Sequence, residues 1–201
     1  MCIVQKRILG VKIISINIIL KPWSLIAELT DKNVLGLDGM SSKPPRKTSR
    51  AIVINEEGNC AVMYAEKFKL YSLPGGGIED GEDEITALIR EIYEETGCAC
   101  DSVEQLGIVS ENRNHQDYTT LSYYFVVHTK TKTGSIHLTD AEIENGTFIQ
   151  WLSLNETIHR IRDVEHETTQ RKFLQARDVA ALTEYCKQIE RGEILRGGVP
   201  L

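Results

Sequence analysis

The chain has 201 residues, of which 41 % are hydrophobic and 26 % are charged, and its formal net charge at pH 7 is −6. This composition is typical of one globular domain with a buried core, and it indicates neither a disordered chain nor a membrane protein. The charge is uneven, because residues 1–50 carry +6 and the remaining residues carry −12. An acidic surface argues against non-specific DNA or RNA binding, so we expect no nucleic-acid partner.

Residues 1–30 are an extension whose role the sequence leaves open. Residues 8–20, ILGVKIISINIIL, are apolar and β-branched, but polar side chains interrupt them and the run is too short for a membrane span. A basic start before an apolar run is typical of a signal peptide, yet no cleavage site between small residues follows. The alternatives are an added strand, a poorly ordered extension or a start codon assigned too far upstream. We expect no membrane partner.

Residues 31–50 are predicted to lead into the folded domain, which we place at residues 51–195. Their second half, SSKPPRKTSR at 41–50, has the basic, proline-containing composition of a linker. The domain is predicted to open with a hairpin of residues 51–54 and 60–64. Strand residues 71–73 then lead into three glycines at 75–77, which predict a loop whose backbone can approach a ligand closely.

A helix is predicted from about Glu82, and Gly97 is predicted to end it as a glycine cap. Its apolar side chains have the i, i+3, i+4, i+7 spacing of a stripe that packs on a core, and they are Ile85, Leu88, Ile89 and Ile92. The helix therefore has one buried face and one polar face.

Three carboxylates share that polar face. At about 100° per residue, Glu91, Glu94 and Glu95 fall within roughly a third of the helix circumference. Carboxylates held a turn apart raise one another's pKa unless a cation neutralises them, and oxygen ligands suit hard ions such as Mg²⁺ or Mn²⁺. The alternative is an ordinary solvated face on which Arg90 pairs with Glu94.

After this helix, strands are predicted at residues 102–110, 121–128 and 148–152, and helices at residues 155–162 and 164–191. The last helix has a broad apolar stripe made of Phe173, Leu174, Ala176, Ala180, Ala181 and Tyr185. The same helix could form a homodimer. The five cysteines include no CxxC pair and suit free thiols in a reducing compartment, so we expect a cytoplasmic protein without zinc.

The residues from Gly76 to Cys98 follow a fixed skeleton. Five residues separate Gly76 from Glu82 and seven separate Glu82 from Arg90-Glu91, and the pattern continues with Ile92, Glu94-Glu95, Gly97 and Cys98. This skeleton resembles the Nudix box, G-x5-E-x7-R-E-U-x-E-E-x-G-U, in which U is a bulky apolar residue. A chance match at one start has a probability on the order of 10⁻⁸ at average residue usage. Cysteine at the last position is the one departure, and the complete skeleton favours metal binding over a solvated face.

The resemblance to Nudix hydrolases implies an α/β protein, an α/β/α sandwich with a mixed β-sheet. It implies an enzyme that uses Mg²⁺ or Mn²⁺ to cleave a phosphoanhydride bond in a nucleoside diphosphate linked to another moiety. By position, Glu94 and Glu95 are similar to the principal metal ligands, and Glu91 to a further ligand or the catalytic base. The carbonyl of Gly75 resembles the backbone ligand of many members.

The same resemblance gives the other fixed positions of the box supporting roles. Arg90 and Glu82 look like partners that orient the glutamates by ion pairing. We include Arg90 with Glu91, Glu94 and Glu95 among the catalytic residues for this reason. Gly76 and Gly97 look like structural positions at the two ends of the box.

Many Nudix hydrolases add one acidic residue from a later loop as a ligand or base. Glu142 and Glu144, in the segment TDAEIENG, are the candidates here, and Asp140 and Glu111 are weaker ones. The alternative is that this segment is a polar surface loop.

Substrate contacts are predicted only by residue type. A base could stack on Tyr71, Tyr118, Tyr123 or Tyr124, phosphates could meet Lys67, Lys69 or Arg113, and His115 could assist from the loop at 112–118. For each of these residues the alternative, a structural role or plain exposure to solvent, is the one that its residue type favours. The expected substrate is a nucleoside triphosphate, including an oxidised one, or an ADP-sugar. The alternative function is a catalytically silent, nucleotide-sensing regulatory module, which usually lacks box carboxylates that this chain retains.

Overall fold

The computed structural model describes residues 2–6, 14–132 and 134–194. Within that part the strands are β1 (Cys2–Lys6), β2 (Ile14–Ile19), β3 (Leu25–Thr30), β4 (Arg46–Ile54), β5 (Cys60–Ala65), β6 (Leu70–Ser72), β7 (Gly75–Gly77), β8 (Cys98–Arg113), β9 (Tyr118–Lys132) and β10 (Thr147–Leu152). The α-helices are α1 (Asp31–Leu35), α2 (Glu84–Thr96), α3 (Asp140–Glu144), α4 (Leu154–Arg162) and α5 (Thr169–Glu190). Short 3₁₀ turns lie at Glu66–Phe68 and Asn114–Gln116.

The strands form one mixed sheet. Its order is β1-β2-β8-β9-β4-β5-β10, with β3 added to β8, β6 to β5 and β7 to β4. Strand β4 is parallel to β9, and β2 and β3 are parallel to β8, whereas the other pairs are antiparallel. The predicted mixed sheet is therefore confirmed.

Helices cover both faces of the sheet. Along β4, Ile52 and Ile54 belong to a buried cluster that includes residues of α4 and α5, whereas Ala51 and Val53 belong to a second cluster that includes Leu88 of α2. Successive side chains of a strand point to opposite faces, so an unbroken apolar run such as this one is buried from both sides. This arrangement is the α/β/α sandwich that was predicted.

Helix α2 matches the prediction from periodicity. Asp83 caps its start by accepting a hydrogen bond from the backbone of Thr86, and Gly97 ends it in the left-handed conformation at φ 68°. Leu88 and Ile92 on the predicted stripe are fully buried. The polar face of the helix is thereby fixed relative to the sheet.

The N-terminal third agrees with one of the alternatives for residues 1–30, an added strand, but differs from the prediction of a linker at residues 41–50. The described part of the extension adds strands to the sheet, and Ile16 and Ile18 on β2 are buried. Strand β4 begins at Arg46, five residues before the predicted start, because Thr48 and Ser49 are buried between β7 and β9. The Thr48 hydroxyl bonds Ser122 at 2.9 Å, so polar residues that suggested a linker belong to the sheet.

The later elements also differ at their ends. Strands β8 and β9 are longer than predicted, and the long C-terminal helix begins at Thr169 rather than at Val164. The predicted stripe residues Phe173, Ala181 and Tyr185 are buried on α5. No helix in the described residues has the length and apolar character needed to cross a bilayer.

The contact between α2 and the sheet can be tested at Leu88, which is fully buried. We expect Leu88→Ala to lower the free energy of unfolding by about 2–5 kcal/mol, because it leaves a cavity as well as removing apolar burial. Chemical denaturation measures this change. Leu37→Ala, at a side chain that is 49 % exposed, is the control. Equal effects of the two substitutions would contradict the proposed packing of α2.

Candidate active site

The glycine strand β7 is held against β4. Gly75 pairs with Arg50 and Gly77 with Thr48. Gly75 has φ 126°, and a methyl group there would lie 2.2 Å from the carbonyl oxygen of Ser49. A methyl group at Gly76 would lie 2.4 Å from Glu91 Oε1. Glycine is required at Gly75 because of its positive φ and the backbone of β4, whereas a side chain at Gly76 would displace the Glu91 carboxylate from its position.

The guanidinium of Arg90 connects three of the predicted acidic residues. It donates to Glu82 through Nε and Nη2 at 2.9 Å each, and through Nη1 to Glu91 at 2.8 Å and to Glu94 at 3.2 Å. Nη2 also donates to the carbonyl oxygen of Gly77 at 3.0 Å. Arg90 therefore ties the loop before α2, the polar face of α2 and the glycine strand together.

Glu95 lies one turn further along α2 and is buried. Its Oε2 accepts a hydrogen bond from the backbone N–H of Gly75 at 2.7 Å, and the residue is 7 % exposed. Burial raises the pKa of Glu95 to about 8, although the Gly75 N–H and Arg50 oppose the change. Burial likewise raises the pKa of Glu91, against the effect of Arg90. Both carboxylates are costly as buried anions, and a nearby divalent cation would favour their charged forms.

The glutamates share one face of α2, where Glu91 and Glu94 both pair with Arg90 and Glu95 pairs with the Gly75 N–H. Among the described residues, no three His, Cys, Asp or Glu side chains are grouped closely enough to form a ready-made metal site. Glu94 is the most exposed of the set, with 33 % of its side chain accessible. Carboxylate oxygens are suitable ligands for a hard divalent ion. To bind such an ion, Glu91 or Glu94 would have to give up its hydrogen bond to Arg90.

An arginine cavity of about 350 Å³ lies on the other side of the glycine strand. We use this name for the space lined by Arg46, Arg50, Arg113 and Arg177, together with Gly76, Gly77, Thr120 and Tyr118. Arg46 and Arg50 come from β4, Arg113 from the end of β8 and Arg177 from α5. Burial lowers the pKa of Arg50, and the nearby charge of Arg177 adds to this effect. Positive charge is thus concentrated beside the acidic face of α2.

Buried Asp178 fixes the strand end that precedes the box. It accepts hydrogen bonds from the backbone N–H of Leu73 at 3.0 Å, from the Tyr124 hydroxyl at 2.5 Å and from Arg177 Nε at 3.0 Å. Arg50 Nη1 donates to the carbonyl oxygen of Leu73 at 3.2 Å. Both backbone groups of Leu73 are therefore held by charged side chains, and this places Gly75 beside Glu95.

Arg177 and Asp178 were missed by the sequence analysis. They follow Phe173 and Leu174 by four residues on α5, so they continue its apolar stripe and are buried with it. The sequence signal for this pair is that two charged residues lie on the apolar face of a helix. Charged side chains on a buried face nearly always have charged or hydrogen-bonding partners there, so such a pair indicates a buried polar site. Arg46 and Arg50 gave no such signal, because they lie in the segment interpreted as a linker.

A family model described as the NUDIX domain matches residues 44–176. The chain belongs to the Nudix family. An RNA pyrophosphohydrolase from Dinoroseobacter shibae is 38 % identical over 71 residues, which cover 34 % of this chain and 44 % of that protein. A MutT-like protein from Streptomyces ambofaciens is 27 % identical over 125 residues, covering 62 % and 75 % of the two chains.

The fold is shared with solved members of the family. The structure of a NUDIX hydrolase from Nitrosomonas europaea is similar with a TM-score of 0.53 at 20 % identity, covering 72 % of this chain and 90 % of that one. The chain spans less than half of the length of the first curated relatives that it matches. The Nudix box therefore has the expected structural setting.

The candidates for a late acid occupy different environments. Glu142 caps α3 by accepting hydrogen bonds from the Thr139 backbone and hydroxyl at 2.7 and 2.8 Å. Glu144 and Asp140 are exposed. Glu111 is buried and receives two hydrogen bonds from Arg113, which lines the arginine cavity. Burial is the main cause of the raised pKa of Glu95, and the charge of Glu142 contributes to it.

Among the substrate candidates, Tyr118 and Arg113 line the arginine cavity. Tyr123 and Tyr124 have the structural role that was the alternative to stacking on a base, because both rings are buried in the two cores and Tyr124 bonds Asp178. Tyr71 packs on Tyr64 with ring centroids 4.4 Å apart.

The basic candidates other than Arg113 lie elsewhere. Lys67 and Lys69 are exposed at the turn between β5 and β6. His115 is held by Asp31, which accepts from its backbone N–H at 2.7 Å and lies 2.7 Å from its Nδ1. His115 therefore has a structural role at the end of β8.

Removing Arg90 tests the organisation of the Nudix box. We expect Arg90→Gln to lower the free energy of unfolding at pH 7 by about 1–3 kcal/mol, because it leaves partly buried carboxylates without their charged partner. Arg90 holds the pKa of Glu82 below its ordinary value. The stabilisation is therefore complete above about pH 4.3 and is lost as the pH falls through the lower pKa of the folded state.

Chemical denaturation at pH 7 and pH 3 measures this difference. Arg162→Gln is the matched control, since Arg162 pairs with Asp163 on the surface with half of its side chain exposed. An Arg90→Gln effect equal to that of the control, or unchanged at pH 3, would contradict the central position of Arg90.

Proposed function

We propose that this chain is a metal-dependent hydrolase that cleaves a phosphoanhydride bond in a nucleoside diphosphate linked to another moiety. The observation that carries the proposal is the set of glutamates organised by Arg90, next to a glycine strand and an arginine cavity. Carboxylates provide ligands for a divalent cation, and guanidinium groups bind phosphate oxygens. The names of the relatives, RNA pyrophosphohydrolase and MutT-like protein, support the same class of reaction.

Mg²⁺ or Mn²⁺ would be held by Glu91, Glu94 and Glu95, with the carbonyl of Gly75 as a further candidate ligand. A bound divalent ion neutralises phosphate oxygens and lowers the pKa of the attacking water. The side chains of the box have separate tasks in this proposal. The Gly75 N–H orients Glu95, Arg90 orients Glu91 and Glu94, and the raised pKa of Glu91 makes it a stronger base than an ordinary carboxylate.

The alternative is a nucleotide-sensing module without catalysis. Retention of every box carboxylate favours the enzyme, because a sensor has no need for a base. Three buried free thiols, Cys60, Cys98 and Cys100, support the expected cytoplasmic location, since free thiols persist in reducing compartments.

Glu95→Gln is the decisive substitution. We expect it to lower kcat with Mg²⁺ at least about 100-fold, because glutamine removes the negative charge that a cation requires. Its amide oxygen can still accept from the Gly75 N–H, so the fold should persist. Release of phosphate or pyrophosphate from a panel of nucleotides and nucleotide-sugars measures the rate.

Glu57→Gln, at an exposed residue of the turn between β4 and β5, is the control with the same change of charge. Thermal unfolding shows whether each variant remains folded. Tight binding of nucleotides by the wild type without turnover across the panel would support the sensor instead. Activity that persists in folded Glu95→Gln would exclude the role of Glu95.

The late acid can be assigned by comparing two substitutions. We expect Glu142→Gln to lower kcat more than Glu144→Gln, because the charge of Glu142 reaches Glu95. Glutamine also satisfies a capping box, so the start of α3 is preserved. Steady-state kinetics with the best substrate of the panel measures both variants, and a larger effect of Glu144→Gln would reverse the assignment.

A further inference from the structure

The arginine cavity has more positive charge than its protein partners neutralise. Arg113 donates to Glu111 through two nitrogens, and Arg177 donates to Asp178 at 3.0 Å. Within the described part of the chain, neither Arg46 nor Arg50 has a carboxylate oxygen within 4.0 Å. The cavity therefore has a surplus of about two positive charges, in a chain whose overall charge is negative.

Two buried polar atoms at the cavity also lack partners. The Oγ1 atom of Thr120 and the Nε atom of Arg50 have no hydrogen-bond partner among the described residues. Thr120 is only 3 % exposed and lines the cavity. Buried polar groups in native proteins are nearly always hydrogen-bonded, and leaving one unpaired is costly. A ligand with acceptor oxygens in the cavity would provide a partner for the Thr120 hydroxyl, whereas Glu111 Oε1, which is also buried without a partner in the described part of the chain, requires a donor.

Gly77 connects the cavity to the acidic face. Its carbonyl oxygen accepts from Arg90 at 3.0 Å, and a methyl group on its Cα would lie 2.7 Å from Arg46 Nη2. One residue of backbone thus separates the guanidinium of the cavity from the guanidinium that organises the glutamates. A single extended substrate can contact both regions.

We infer that the arginine cavity binds a further phosphate of the substrate, beyond the diphosphate that is cut, and that the substrate class is a 5′-triphosphate rather than a nucleotide-sugar. A phosphate dianion matches the surplus charge of Arg46 and Arg50 and offers acceptors to Thr120. A sugar hydroxyl would leave the buried Arg50 guanidinium without a counter-charge, whereas Arg46 is exposed to solvent and free to reach a phosphate. This inference rests on the proposed function, and it adds no chemical step to the hydrolysis.

The same triphosphate occurs in free nucleotides and at the 5′ end of RNA. The relatives named RNA pyrophosphohydrolase make the second source relevant. Since the cavity recognises phosphate, both sources share the chemistry assigned here, and a comparison of substrates must separate them.

The first experiment measures binding without catalysis. Calorimetric titration of the full chain with inorganic tripolyphosphate in EDTA should show binding, because the arginines supply the charge without metal. We expect Arg46→Gln to weaken this binding at least about tenfold. Arg191→Gln, an exposed arginine at the end of α5, should leave it unchanged.

A second variant removes the unpartnered hydroxyl. Thr120→Val should weaken tripolyphosphate binding roughly fivefold without lowering the melting temperature of the free protein, because the hydroxyl has no partner there. Binding that is absent in the wild type, or equal in wild type, Arg46→Gln and Thr120→Val, would overturn the inference.

The second experiment compares substrates that differ only beyond the adenosine diphosphate. With Mg²⁺, we expect kcat/KM for ATP to exceed that for ADP-ribose at least about tenfold, and Arg46→Gln to reduce the preference by raising KM for ATP. A short RNA with a 5′-triphosphate separates the two sources, and preference for either triphosphate supports the inference. Preference for ADP-ribose would overturn it while the proposed hydrolase stands. Tripolyphosphate binding without hydrolysis of any substrate would instead refute the hydrolase and retain the cavity.

Discussion

The guanidinium of Arg90 is the contact on which the candidate site depends. It binds Glu82 from the loop before α2, Glu91 and Glu94 from two turns of α2, and the backbone of Gly77. Without it, like charges on neighbouring turns of the helix would repel one another, and the glycine strand would lose one of its hydrogen bonds to α2, leaving that between Gly75 and Glu95. The same ion pairs compete with any cation for Glu91 and Glu94. Arg90 thus keeps the glutamates in place and also limits how strongly they can hold a metal.

The second constraint is the division of charge across the glycine strand. Carboxylates lie on one side and unneutralised arginines on the other, and β7 is thin enough for both to contact it because it consists of glycine. The formal net charge of the chain does not reveal this division. It is negative, although the cavity is lined by four arginines. Local charge, and not the total, determines which anions the site admits.

The sequence predicted those parts of the fold that depend on local patterns. Apolar runs identified β4 and β5, and the box identified α2 with its cap at Gly97. The arginine cavity could not be predicted, because β4, β8 and α5 contribute to it from distant parts of the chain. Residues 46–50 have the polar composition of a linker, and only their pairing with β7 and β9 shows that they form a strand. Residue type alone was also a poor guide at Tyr124. A tyrosine can stack on a nucleotide base, but the register of β9 places this ring in the core.

The end of β8 that carries Arg113 is fixed by residues from outside the matched stretch. Asp31, which is 1 % exposed, holds His115, while the Ser41 backbone N–H donates to Asn112 at 2.8 Å and the Ser41 hydroxyl donates to Asp117 at 2.8 Å. The NUDIX match begins only at residue 44. The position of Arg113 therefore depends on a segment that the family pattern does not describe, and two chains with identical boxes can differ in the rim of this cavity. The box therefore fixes the arrangement of the glutamates, whereas the N-terminal segment contributes to the position of one residue that lines the arginine cavity.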